Sequence, residues 1–187
     1  MDTSPPPVST VRTFFNTYYL RCYPDVAKSS YGTQDGAASH YIFIGLNEGR
    51  SPNPFFVPQF YLHQYDDLKK AFGNNYAAAF NHWVTLGIKE GRQGSPFFDP
   101  KFYLSNNPDL LQAFGAEGFE EACNHWINFG LVEGRHSIAS ISSSAFEHNN
   151  ELILSKAGLI ALKQFLAMAG ITPPARPLSA LSQAINK

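Results

Sequence analysis

Apolar and polar positions follow one order three times along this chain. An aromatic residue leads to a Tyr-Leu pair at Phe56, Tyr61 and Leu62, then at Phe98, Tyr103 and Leu104, and more loosely at Phe14, Tyr19 and Leu20. An acidic residue before an aliphatic one follows as Asp25-Val26, Asp67-Leu68 and Asp109-Leu110. A histidine before a large ring comes next, as His40-Tyr41, His82-Trp83 and His125-Trp126. Each copy closes on Glu-Gly-Arg, at 48–50, 90–92 and 133–135. The spacing is about 42 residues, within the range of helical arrays.

The third copy shows the elements most plainly. Asp99-Pro100 supplies an N-cap and a proline at the first helical position, so a short helix through Phe102, Tyr103 and Leu104 is predicted. Asn107-Pro108 starts a second helix with Asp109 in its first turn, carrying Leu110, Leu111 and Phe114 to a stop at Gly115. A third helix is expected over 119–129, with Ala122, Trp126 and Phe129 on one apolar face and Gly130 ending it. Leu131–Arg135 then reads as a tight return in which Gly134 takes positive φ. Helices this short need to bury their rings against each other and against the next copy.

The expected fold class is therefore all-α: a tandem array of three repeats of short helices, capped by a C-terminal amphipathic helix. The segments are a flexible N-terminal stretch 1–13, repeats over 14–55, 56–97 and 98–140, and a linker plus capping or docking helix over 141–187. The linker is Ser140–Ser144, and Ser144-Ala145-Phe146-Glu147 is a capping box for a helix over about 145–169. Phe146, Ile153, Leu154, Ala157, Ile160, Ala161, Phe165 and Met168 form its apolar face. Gly170 and Pro173-Pro174 end it, and a last short helix over 178–185 follows.

This order of motifs resembles a tandem repeat of about 40 residues seen in many bacterial proteins. The matching elements are Phe102-Tyr103-Leu104, Asn107-Pro108-Asp109-Leu110, Ala113-Phe114-Gly115, His125-Trp126 and Glu133-Gly134-Arg135. The second copy matches through Phe60-Tyr61-Leu62, Asp66-Asp67-Leu68, Ala71-Phe72-Gly73, His82-Trp83 and Glu90-Gly91-Arg92. The resemblance covers about 14–136. It implies an accessory module of secreted and cell-surface proteins, in a glycan-related setting, and it brings no catalytic residues with it.

Composition narrows the functions. A formal net charge of -1 over 187 residues argues against an electrostatic nucleic-acid footprint. No apolar run is long enough for a membrane span. Residues 1–7 carry no signal-peptide pattern, which leaves a cytosolic protein, export by another route, or a start after cleavage; the resemblance points to the extracellular or cell-surface setting. Cys22 and Cys123 sit at non-equivalent positions, so they read as free thiols or a single bridge.

The candidate chemistry is weighed against packing. His40, His82 and His125 are equivalent, and packed helices would hold them too far apart to share one metal. Each is expected to pack beside Tyr41, Trp83 or Trp126 and to bond a backbone carbonyl, with no metal and no cofactor. Arg50, Arg92 and Arg135 are expected to pair with Asp25, Asp67 and Asp109 or with the neighbouring repeat, ahead of a role in binding sulfate, phosphate or uronate. Tyr23, Tyr31, Tyr65 and Tyr76 stand outside the shared pattern and are the candidate ligand-binding residues. No nucleophile motif or phosphate loop is present, so a catalytic site is not expected. The reading is a non-enzymatic binding module, foremost for carbohydrate. The alternative is a structural or assembly protein making protein–protein contacts through its repeat faces or the C-terminal helix, the helix also being a route to a homo-oligomer.

Overall fold

The computed structural model describes residues 11–130, 133 and 135–138. The N-terminal stretch 1–10, the linker and the predicted helices over 145–169 and 178–185 lie outside the described residues, and so does Gly134. Among the described residues the chain is all-α, without a strand.

The first copy forms α1 (Asn16–Cys22), α2 (Pro24–Ala27), α3 (Gln34–His40), a π-helical turn Tyr41–Gly45 and a single turn, α4 (Leu46–Glu48). The second forms α5 (Pro58–Gln64), α6 (Asp66–Phe72), α7 (Tyr76–His82) and a π turn Trp83–Gly87. The third forms α8 (Pro100–Ser105), α9 (Pro108–Phe114), α10 (Phe119–His125) and a π turn Trp126–Gly130. Local chemistry sets these limits. Proline opens α2, α5, α8 and α9, where the missing N–H costs nothing. Asp99 accepts from the amides of Lys101 and Phe102, Thr33 from Gly36, and Asn75 from Ala78. Gly73 and Gly115 end α6 and α9 at φ +60° and +80°.

No helix here exceeds seven residues, so tertiary burial must hold each one. Phe56 stacks on Trp83 with ring centroids 4.9 Å apart, Phe98 stacks on Trp126 at 4.9 Å, and Phe14 on Tyr41 at 5.3 Å. Pairs of this kind contribute about 0.5–1.5 kcal/mol beyond their buried area. Rings also meet across longer stretches of the chain: Phe55 meets Phe98 and Trp126 edge-on, and Tyr41 meets Phe80. The leading strand-like stretch of each copy is tied to its own exit. Phe15 N–H donates to Pro52 (3.1 Å), Val57 N–H to Gly94 (2.9 Å) and Asp99 N–H to Ser137 (2.9 Å). Buried side chains repeat the tie: Asn53 donates to Thr13 O, Ser95 to Pro54 O, and Ser137 to Phe97 O. The stretches 13–53, 54–95 and 97–137 are therefore each tied end to end.

The third helix departs from expectation. Phe129 was placed on the buried face with Trp126, yet it is exposed. The cause is the π turn, which adds a residue to the turn and swings Phe129 outward while Gly130 faces in. Cys22 and Cys123 are both free and buried. Burial pushes the Cys22 thiol up to about 12, and raises Cys123 as well.

Candidate functional site

The polar residues that recur in the sequence come together in three equivalent clusters. In the first, Tyr19 of α1 and His40 at the end of α3 meet with Oη and Nδ1 3.0 Å apart. Tyr61 and His82 do the same at 3.0 Å, and Tyr103 and His125 at 2.9 Å. The histidines thus bond a tyrosine hydroxyl instead of the expected backbone carbonyl. Their ring neighbours also differ from expectation. His40 lies against Tyr31, His82 against Phe72, and His125 against Phe114 and Phe129. The following Tyr41, Trp83 and Trp126 point the other way, into the stacks with phenylalanine. Consecutive residues of a helix cannot share a face.

Burial keeps Tyr19, Tyr61 and Tyr103 protonated by raising their pKa. Burial also lowers the pKa of His40, His82 and His125. Each couple is therefore neutral at pH 7, and the imidazole tautomer sets which of the two partners donates. The same oxygen packs against glycine: a Cβ added at Gly45, Gly87 or Gly130 would collide with Tyr19, Tyr61 or Tyr103 Oη.

Beside each couple the closing arginine holds two carboxylates. Arg50 bonds Asp25 (2.8 Å) and Glu48 (2.6 Å). Arg92 bonds Asp67 (2.9 Å) and Glu90. Arg135 bonds Asp109 (2.8 Å) and Glu133. Hydrogen bonds from these arginines lower the pKa of Asp25, Asp67 and Asp109. The arginine backbone is fixed too, its N–H donating to the carbonyl of Gly45, Gly87 or Gly130 at 2.8–2.9 Å.

The candidate ligand-binding tyrosines prove to be parts of this frame, and they do not converge. Tyr23 and Tyr65 are equivalent to each other. Each hydroxyl accepts a backbone N–H, from Ser51 and Gln93 at 2.7 Å, and each ring lies under an arginine, Arg50 or Arg92, about 4.8–4.9 Å from the guanidinium carbon. Asn107 replaces them in the third copy, its amide accepting from Arg135 and donating to Tyr103 O. Tyr76 sits against Gly49 (φ +69°), as Phe119 sits against Gly91 (φ +63°). Tyr31 packs on His40. All four are thus part of the repeated frame, Tyr31 packing on His40 as Phe72 and Phe114 pack on His82 and His125, and Tyr23, Tyr65 and Tyr76 standing at the repeat spacing. Their spacing from Asn107 and Phe119 was the signal in the sequence.

One feature was missed because helical periodicity hides it. The outward edge of each π turn carries large apolar side chains in water: Ile42 is 58% exposed, Phe43 75%, Leu86 46% and Phe129 57%. Leu86 and Phe129 are equivalent positions. Among the described residues no group of three His, Cys, Asp or Glu side chains converges to hold a metal ion. Among the same residues, no helix is long and apolar enough to cross a membrane.

No family model matches the chain, and neither a curated protein nor a solved structure matches it.

Proposed function

We propose that this chain is a non-enzymatic assembly module, a tandem array that makes protein–protein contacts through the outward edges of its π turns. The observation that carries this reading is the exposure of Ile42, Phe43, Leu86 and Phe129, all of them on π turns. Isolated apolar residues at a surface are ordinary, but large ones recurring on the same turn of successive units form an edge that gains from being covered. The clusters beneath support the reading from the other side. Their tyrosine, histidine, arginine and carboxylate groups are engaged with each other, and they hold each turn in one shape. A second copy of the chain is the simplest partner, since it offers the same apolar edge.

Carbohydrate binding is the second reading, and the exposed rings of Phe43 and Phe129 favour it, because a sugar C–H face stacks on such rings. It ranks second because aliphatic Ile42 and Leu86 share the edge and Tyr23 and Tyr65 are already covered by arginine. A surface-protein setting for either reading rests on the sequence resemblance.

Sedimentation velocity across a wide concentration range separates the two. Assembly predicts a mass that rises with concentration and reverts to that of the monomer in Phe43→Ser and Phe129→Ser. A monomer throughout, combined with reproducible binding to one glycan class on an array, would replace the first reading with the second.

A further inference from the structure

We propose that in the three Tyr–His couples the hydroxyl donates to Nδ1, and that the couples are proton-operated latches on the π turns, so that acidification loosens the edges through which the chain makes its contacts. The control of contacts rests on the reading above; the latch itself rests on the geometry.

One hydroxyl spans each turn. Tyr61 Oη bonds His82, the residue just before the turn, and packs against Gly87, its last residue. Tyr19 relates to His40 and Gly45 in the same way, and Tyr103 to His125 and Gly130. Each turn is also held by its leading ring, as Trp83 stacks on Phe56, and by backbone bonds such as Ile88 N–H to Trp83 O at 2.9 Å and Arg92 N–H to Gly87 O at 2.8 Å. The latch is the side-chain hydrogen bond that joins the start of the turn to the helix packed beside it.

Protonation sets two donors against each other. An imidazolium carries hydrogen on both ring nitrogens, so Nδ1–H faces the hydroxyl hydrogen. The oxygen can accept from Nδ1 only if its own hydrogen turns away from the imidazole, and Gly45, Gly87 or Gly130 packs against that same oxygen. The charges around each ring do not reverse this. His40 faces the Arg50 cation, with Glu48 and Asp25 on the other side of the balance. His82 faces Arg92 with Glu90 and Asp67, and His125 faces Arg135 with Glu133 and Asp109. In each cluster both carboxylates are already bonded to the arginine. Burial disfavours the cation further.

Amide hydrogen exchange on the full chain tests the latch, at a concentration where it is monomeric, compared at pH 7.5 and 5.0 after correction for intrinsic rates. Protection in turns 41–45, 83–87 and 126–130 should fall about tenfold or more, while α6 and α9 change far less. His82→Asn keeps an acceptor near the Nδ1 position but cannot be protonated there. In that variant the turn 83–87 should stay protected at pH 5.0 while the other two still loosen. Equal protection at both pH values in the wild type would overturn the proposal, as would loosening of 83–87 in the variant. If His82→Asn does not fold, the wild type still decides. Turn amides and the imidazole of His82 should then titrate together, and amides that change at a different pH would overturn the latch. These readouts need no partner, so they stand apart from the sedimentation test of the contact surface.

Discussion

The hydroxyl of Tyr61 lies 3.0 Å from Nδ1 of His82, tying α5 to the far end of α7 across the second copy of the fold. Tyr61 is completely buried. Tyr61→Phe keeps the ring and its packing on Phe56 but leaves a shielded imidazole nitrogen without its partner. The expected loss is about 1–3 kcal/mol of unfolding free energy, read from the urea midpoint. An unchanged midpoint would mean that solvent replaces the hydroxyl freely.

Acid should weaken the protein in two stages. The ordinary histidine value is 6.5, and the folded values of His40, His82 and His125 lie below it. The unfolded chain therefore binds more protons in that window, and stability rises with pH through it. The stabilisation is fully present above about pH 6.5 and is lost as pH falls through the lowered folded values. Asp25, Asp67 and Asp109 act with the same sign below 3.8. Urea midpoints from pH 8 to 3 should show both declines. A flat profile between pH 7 and 5 would contradict the neutral Tyr–His assignment.

Two glycines should respond for different reasons. Gly87→Ala drives a methyl into Tyr61 Oη and should break the couple with His82 as well as crowd the core. Gly73→Ala meets open space, and its cost is that of the positive-φ backbone alone (φ +60°), about 1–3 kcal/mol. Thermal melts of the two variants should therefore differ, with Gly87→Ala the less stable.

Tyr41 gives a prediction of the opposite sign. Its hydroxyl is buried with no hydrogen-bond partner, at the position held by Trp83 and Trp126 in the other copies. Tyr41→Phe removes that oxygen and keeps the stacking on Phe14. The melting temperature should hold or rise, since an unpaired buried polar group costs about 1–3 kcal/mol. A clear drop would show that the oxygen has a partner in solution.

Much of the fold was legible in the sequence because its signals are local. Asp99-Pro100 and Asn107-Pro108 marked helix starts, and Gly73 and Gly115 marked stops. The repeated Arg and Asp residues pair across a spacing of about 25 residues that each copy preserves. The π turns were not legible. A reading based on 3.6 residues per turn carries the helix through Trp126 to Phe129 and puts that ring inside. The partner of each histidine was also missed, although Tyr19, Tyr61 and Tyr103 keep a constant distance of 21 or 22 residues from His40, His82 and His125. Tyr23 and Tyr65 were taken as free for a ligand because the third copy has Asn107 there, so the shared role was invisible until Arg50, Arg92 and Arg135 were seen to bind all three.

The proposed contact edge is tested most directly by NMR of the full chain as its concentration is raised. The account predicts shifts and broadening centred on Ile42, Phe43, Leu86 and Phe129, with the interior couple of Tyr61 and His82 unmoved. Changes centred elsewhere, or none while the protein remains folded, would contradict it.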